Sequence, residues 1–266
     1  MKKIIGLSCG RKNGNCETLL KSAAMGAEEF GVETEIIRAM ELKVLPCRGC
    51  QGCLREPYKC ILKDDVDWIL EKTCMEDCGL IVSVPVYHLR ANAYFLAISE
   101  RMNHFIDKSN RQIIKKTRVG AIISVGGGLA DWTSLGLTTA NIFVQHTRLL
   151  VDQIQVNGAG MRGSVLLDTN KKQLDRVREL GRNVARAMSM PIEEAKFVGE
   201  ETAVSCPVCH CNVLQVPEDL PHVTCPVCWV HGVISFDGDK MEVKWDEWDI
   251  NMLDFPNMGV PNMVIT

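Results

Sequence analysis

Cys47-x2-Cys50-x2-Cys53-x6-Cys60 places four thiols in a single short loop. Three cysteines at two-residue gaps can each turn a sulfur toward one point, and a fourth shortly after can close the coordination. That spacing suits a cubane iron–sulfur cluster better than zinc, which usually draws its ligands from two well-separated pairs. The alternative is a structural or redox thiol loop without a metal. A 4Fe-4S cluster moves electrons one at a time, so the remaining sequence must show what it exchanges them with.

The chain has 266 residues, 46% of them hydrophobic, enough for one main domain of roughly 200 residues and a small appendage. The formal net charge of −3 supplies no basic field for nucleic acid. The thirteen cysteines are clustered, and Met1-Lys2-Lys3 leads straight into Ile4-Ile5-Gly6-Leu7, too short for a signal core. No apolar run approaches the ~18 residues of a membrane span. The expected compartment is a reducing cytoplasm, with thiolates kept for metals.

Apolar, strand-like runs cover residues 3–8, 33–38, 80–86, 118–125 and 153–157, and helical patterns cover 17–30, 64–71, 92–107, 134–151 and 171–188. Strands alternating with helices imply a parallel sheet covered on both faces. Pro191 stops the last of these helices. Residues 1–192 are expected to form the main domain, 193–204 a linker, 205–248 a small second domain and 249–266 a tail.

In such a sheet, ligands sit at the carboxyl ends of the strands. Three loops fall there. The first holds Ser8, Arg11, Asn13, Gly14, Asn15, Cys16 and Thr18, small polar side chains next to a helix start that suit a phosphate. It matches neither the dinucleotide nor the nucleoside-triphosphate glycine pattern, and its bland reading is a polar turn with a helix cap. The second is Pro85-Val86-Tyr87-His88, a rigid and partly aromatic wall. The third is Gly126-Gly127-Gly128, where backbone can approach a flat ring.

These loops, together with Cys47 to Cys60, Lys63-Asp64-Asp65 and Glu100-Arg101, resemble the iron–sulfur flavoprotein branch of the NAD(P)H-dependent FMN reductase family over about residues 3–190. The resemblance implies a flavodoxin-like doubly wound sheet. It implies FMN, with its phosphate at the first loop and its ring between the second and third. It further implies a 4Fe-4S cluster on Cys47, Cys50, Cys53 and Cys60, and a homodimer or homotetramer in which a neighbour helps complete each flavin site. Cys16 departs from the usual Ser or Thr, and Leu129-Ala130-Asp131-Trp132 replaces the Gly-Gly-Gln-Glu often found in the third loop.

Cys206-Pro207-Val208-Cys209 and Cys225-Pro226-Val227-Cys228 are two knuckles able to supply four sulfurs to one tetrahedron. A zinc-ribbon-like domain is the structural reading, and a rubredoxin-like iron site the electron-transfer reading. His210 and Trp229 follow the second cysteine of each knuckle, where rubredoxin-like sites usually place Gly. Cys211, His210, His222 and His231 are alternate ligands nearby. Cys9, Cys74 and Cys78 read as core thiols, His104 and His146 as ordinary helix residues, and Trp245 and Trp248 as cover for the small core.

The expected function is electron transfer between NAD(P)H or a reduced ferredoxin-type carrier, FMN and a small-molecule or protein acceptor. No side chain stands out as an acid or base; Tyr87, His88 and Asp131 are candidates for substrate contacts. The alternatives are a reductase of a specific organic substrate, with Asp131 and Trp132 in its pocket, a non-enzymatic electron carrier, and a ribbon serving as a docking module.

Overall fold

Three apolar runs build the centre of the sheet. β1 (Lys3–Ser8), β3 (Gly79–Tyr87) and β5 (Val119–Val125) are buried along nearly their whole length. A strand covered on both faces has no solvent side to mark by alternation, so these read as continuous runs of Ile, Leu and Val. The computed structural model describes residues 2–57, 59–102, 118–145 and 148–253. β2 (Glu33–Arg38) and β6 (Leu149–Val156) complete a parallel sheet of order β2-β1-β3-β5-β6, and β4 (Arg90–Ala91) folds back antiparallel on β3. The chain reverses direction across the sheet between β1 and β3, which opens a crevice at their carboxyl ends.

Alternate residues of each strand feed two cores. Ile4, Ile81, Ala121 and Ile123 pack under α1 (Asn15–Glu28) and α5 (Lys171–Ala187). Ile5, Leu7, Leu80, Val82, Val84 and Ile122 pack under α2 (Val66–Leu70), α3 (Ala93–Ser99) and α4 (Gly136–Gln145). The first pair of helices meets backbone to backbone: a Cβ on Gly181 would lie 1.8 Å from the carbonyl oxygen of Ala23. Buried Asp152 on β6 is held by Arg176 at 2.5 and 2.9 Å and by Asn183 at 2.8 Å.

One expectation is corrected. The helix expected over 134–151 ends at Gln145, and the last parallel strand starts at Leu149, not at 153. Leu149-Leu150-Val151 fits either pattern by periodicity, and pairing with β5 decides it. A bulge at Gly120/Ala121 pairs Gly120 with Leu150 and Ala121 with Asp152, which leaves Val151 as the extra residue. His104, His146 and residues 254–266 lie outside the described residues.

Beyond the linker, β7 (His222–Thr224), β8 (His231–Asp237) and β9 (Lys240–Trp245) form an antiparallel sheet, followed by α6 (Glu247–Leu253). With the two cysteine knuckles this is a small zinc-ribbon-like domain on a flavodoxin-like one. Trp245 packs on the small core as expected, whereas Trp248 is exposed. The ribbon rests on α4 and β6. Asn141 donates to the carbonyl of Cys209, and Gln153 Nε2 donates to that of His210 at 2.8 Å. The His210 ring stacks on Phe197 with centroids 3.6 Å apart. No described helix is long and apolar enough to cross a membrane.

Candidate flavin cleft and metal centres

The loop after β1 is fixed before it reaches α1. Cys9 N donates to Ser83 O at 2.9 Å, Asn92 Nδ2 donates to Cys9 O at 2.8 Å, and Gly14 N donates to Arg11 O at 2.9 Å. Gly14 caps α1 without a side-chain acceptor, so the first-turn N–H groups face the crevice uncapped. Glu17, fully buried in that first turn, accepts from Asn13 N at 2.7 Å and from Arg38 and Lys21 at 2.8 Å each. Burial alone would raise its pKa; the bonds from Arg38, Lys21 and Asn13 outweigh that and hold the carboxyl down at about 2.

Asn15 does something the sequence does not announce. Its Nδ2 donates to Ala159 O and Met161 O, both at 2.8 Å, and its Oδ1 accepts from Gly163 N at 2.8 Å. The side chain ties the loop after β6 to the start of α1 and is occupied by that task. Arg162 clips the same loops together, donating to Asn13 O and Lys12 O at 3.1 Å.

The result is an open cleft of about 220 Å³ at the carboxyl edge of the sheet. Arg11, Gly14, Asn15, Cys16, Pro85, Val86, Tyr87 and Gly127 line it, from all three loops read in the sequence. Gly10, Val125, Ala159 and Gly160 join them unannounced. The glycine run divides in role. A Cβ on Gly127 would lie 2.8 Å from Gly160 Cα, so this position must be bare for the two loops to meet at the cleft. Gly126 and Gly128 instead make room for Thr133 and the Trp132 ring, at 2.1 and 2.5 Å. Ser8 is buried, and Ser8, Asn13, Thr18, His88 and Asp131 are not among the lining residues. Burial pushes the Cys16 thiol up to about 12, so it faces the cleft as a neutral group.

The compact cysteine loop follows β2 and therefore lies at the same end of the sheet. Cys47, Cys50, Cys53 and Cys60 border one cavity of about 40 Å³, with Arg48, Glu100 and Arg101. The loop is anchored from behind: Asp64 Oδ2 accepts from Leu45 N at 2.8 Å and from Arg101 at 2.5 Å.

The model of the NADPH-dependent FMN reductase family matches residues 2–161, which hold every strand of the parallel sheet and all three loops. The chain belongs to that family. It is thus a flavin oxidoreductase. An iron–sulfur flavoprotein of Methanocaldococcus jannaschii is 30% identical over 199 residues, 71% of this chain and 98% of the relative. One from Methanosarcina thermophila is 36% identical over 126 residues, 47% of this chain and 63% of the relative. Among solved structures, a flavone reductase superposes with a TM-score of 0.75 at 26% identity, covering 94% of this chain and 83% of its own. An NADH:FMN oxidoreductase shares the fold, with a TM-score of 0.50 at 16% identity over 74% of this chain and 95% of its own.

The family match ends before the ribbon, where the four knuckle thiols converge. Cys206, Cys209, Cys225 and Cys228 are all buried, and their sulfurs lie within 4.8 Å of one another. Cys206 and Cys228 approach to 3.3 Å, Cys209 and Cys225 to 3.4 Å. A tetrahedral zinc with sulfurs at ~2.3 Å sets them ~3.8 Å apart, so the donor set fits a single ion. Hydrogen bonds from four neighbouring thiols, Cys206, Cys209, Cys211 and Cys228, push the Cys225 thiol far down, whereas Cys209 and Cys228 are pushed up. Cys211 is buried 3.6 Å from Thr138 Oγ1 and outside the four-sulfur group. His222 and His231 are engaged with Asp219 and Asp249.

Proposed function

We propose that this family member passes electrons between NAD(P)H or a reduced ferredoxin-type carrier, FMN and a 4Fe-4S cluster on the compact cysteine loop, to a small-molecule or protein acceptor. When bound, FMN exchanges a hydride or two electrons and the cluster exchanges single electrons. The observation that carries the reading is the shared location: the cleft formed by three strand-end loops and the four-cysteine cavity both open at the carboxyl end of one sheet.

In this reading Arg11, Gly14 and the uncapped turn at Cys16 receive the phosphate, with Ser8, Asn13 and Thr18 shaping the loop. Asn15 and Arg162 keep the β6 loop in place above it. Pro85, Val86 and Tyr87 face the ring from one side and Gly127 from the other, with Gly126 and Gly128 shaping the loop behind it. Tyr87, His88 and Asp131 stand on the substrate side. Cys47, Cys50, Cys53 and Cys60 hold the cluster. Cys206, Cys209, Cys225 and Cys228 hold zinc, a redox-inert ion that serves structure; iron there would add a relay. The exposed thiols of the compact loop suit a reducing cytoplasm, and a homodimer or homotetramer would shelter the open cleft.

The test is chemical analysis of protein purified without oxygen. FMN released on heating, about four iron and four sulfide per chain, one zinc, and anaerobic bleaching by NAD(P)H or by a reduced carrier support the reading. FAD, or no flavin after reconstitution, ends it.

A second reading is a reductase of a planar aromatic substrate. Tyr87, Leu129, Trp132 and Met161 are exposed apolar side chains on the cleft loops, and the flavone reductase likeness extends across the ribbon. NAD(P)H oxidation that depends on a flavone, and not on an artificial acceptor, would favour it.

A further inference from the structure

We propose that Arg101 sets the reduction potential of the compact cysteine site by presenting a fixed, buried guanidinium to its cavity. The inference rests on the reading that this loop carries a 4Fe-4S cluster.

Arg101 lies just beyond α3, and its side chain is 2% exposed. Its Nη1 donates to Asp64 Oδ2 at 2.5 Å and to Leu45 O at 3.4 Å, and its Nη2 donates to Asp67 Oδ1 at 3.1 Å. Arg101 borders the cavity together with Cys47, Cys50, Cys53 and Cys60, whereas Asp64 and Asp67 do not. The two carboxylates therefore stand behind the guanidinium and the cavity stands before it. Burial alone would make this cation easier to deprotonate; the hydrogen bond and charge of Asp64, then Cys60 and Asp67, reverse that and raise its pKa. Arg48 and Glu100 also border the cavity, but both are exposed and water screens them.

A thiolate-ligated cubane carries negative charge, and adding an electron makes it more negative. A cation fixed in the wall at low local dielectric stabilises the reduced form more than the oxidised one, and so raises the potential. A carboxylate behind that cation does the opposite. The geometry thus assigns opposite signs to two residues in direct contact. A purely structural role for the pair, bracing Leu45 just ahead of Cys47, gives both residues the same sign.

The experiment is a potentiometric titration of anaerobic protein, read by electron paramagnetic resonance, with iron and sulfide counted in each sample. Arg101→Gln is expected to shift the cluster midpoint negative with its iron retained. Arg101→Lys should stay near the parent, and Asp64→Asn should shift it positive. Equal midpoints, shifts of the same sign, or loss of iron from every variant would overturn the proposal and leave Arg101 a brace for the loop. Parent protein that binds FMN but no iron would overturn the cluster reading itself, and the proposal with it.

Discussion

The two sets of four cysteines are equal in number and opposite in construction. In the ribbon, all four thiols are buried and their sulfurs nearly touch. In the compact loop, Cys47 and Cys50 are exposed, Cys53 and Cys60 half-buried, and the four surround a small cavity. The backbone explains the contrast. Each knuckle closes on itself: His210 N donates to Cys206 O at 2.8 Å, and Trp229 N donates to Cys225 O at 2.9 Å. Among the described residues, the turns of the compact loop start at Gln51 and Gly52 rather than at a cysteine, with Leu54 N donating to Gln51 O at 3.0 Å and Arg55 N to Gly52 O at 3.2 Å, and Asp64 and Arg101 brace the loop from behind. A site organised by its own turns shrinks to the size of one ion. A site braced from outside keeps room for a larger group near the surface, where an electron can leave.

The harshest way to break this comparison is to remove a ribbon thiol. Cys225→Ser should abolish zinc binding and unfold residues 205–248, because structural zinc contributes ~10 kcal/mol or more to domains that lack a core of their own. Limited proteolysis with metal analysis checks it. A ribbon that resists protease without metal would mean its closed geometry is not metal-derived.

Cys50→Ser probes the open set. It should remove most of the iron yet leave FMN bound and shift stability by no more than about 1 kcal/mol, since this loop contributes little to either core. Iron content and a melting curve decide; a collapse in melting temperature would put the two sets in one class.

A third test uses the flavin loop, which is held by neither metal. Glu17→Gln should cost on the order of 3 kcal/mol at neutral pH. The sign with pH follows from the lowered pKa: Glu17 contributes fully above its ordinary 4.5, and the contribution fades as pH falls toward about 2. The stability gap between parent and variant should therefore narrow over that window in denaturant titrations, and a constant gap would disprove the ion-pair account.

A last variant sharpens the picture of the cleft. Asn15→Asp loses the amide that holds Ala159 and Met161 and places a charge near the phosphate, so FMN should dissociate about tenfold more readily, or about 1.4 kcal/mol. Fluorescence titration measures it; unchanged affinity would remove Asn15 from the site.

Much of this was legible in the sequence for identifiable reasons. β3 and β5 announce themselves because strands buried on both faces must be apolar throughout. The knuckles do so because their spacing is the turn geometry itself. The end of α4 did not, because Leu149-Leu150-Val151 suits either periodicity until a neighbouring strand selects one. The roles of Asn15, Arg162 and Gly160 were hidden for another reason. Each works across a sequence separation of more than 140 or 30 residues, onto backbone atoms that carry no sequence signature. Likewise, Gly126 and Gly128 look like ring-facing glycines and instead accommodate Thr133 and Trp132.

Asn141 and Gln153, which donate to carbonyls of the first knuckle, are residues of the flavin domain, not of the ribbon. His210 holds a left-handed backbone there, with φ of 58°, and is kept in it by Phe197 and by Glu201 at 2.8 Å. A knuckle whose strained corner is fixed by a neighbouring domain is preorganised for its ion, so the intact chain should bind zinc more tightly than the excised segment. Thermodynamic reciprocity then requires that the ion return the favour to α4 and β6 by the same free energy. α4 starts beside the Trp132 loop and β6 runs into the Ala159 loop. An ion bound in the ribbon would in this way stabilise the cleft loops through α4 and β6, without itself touching the flavin site.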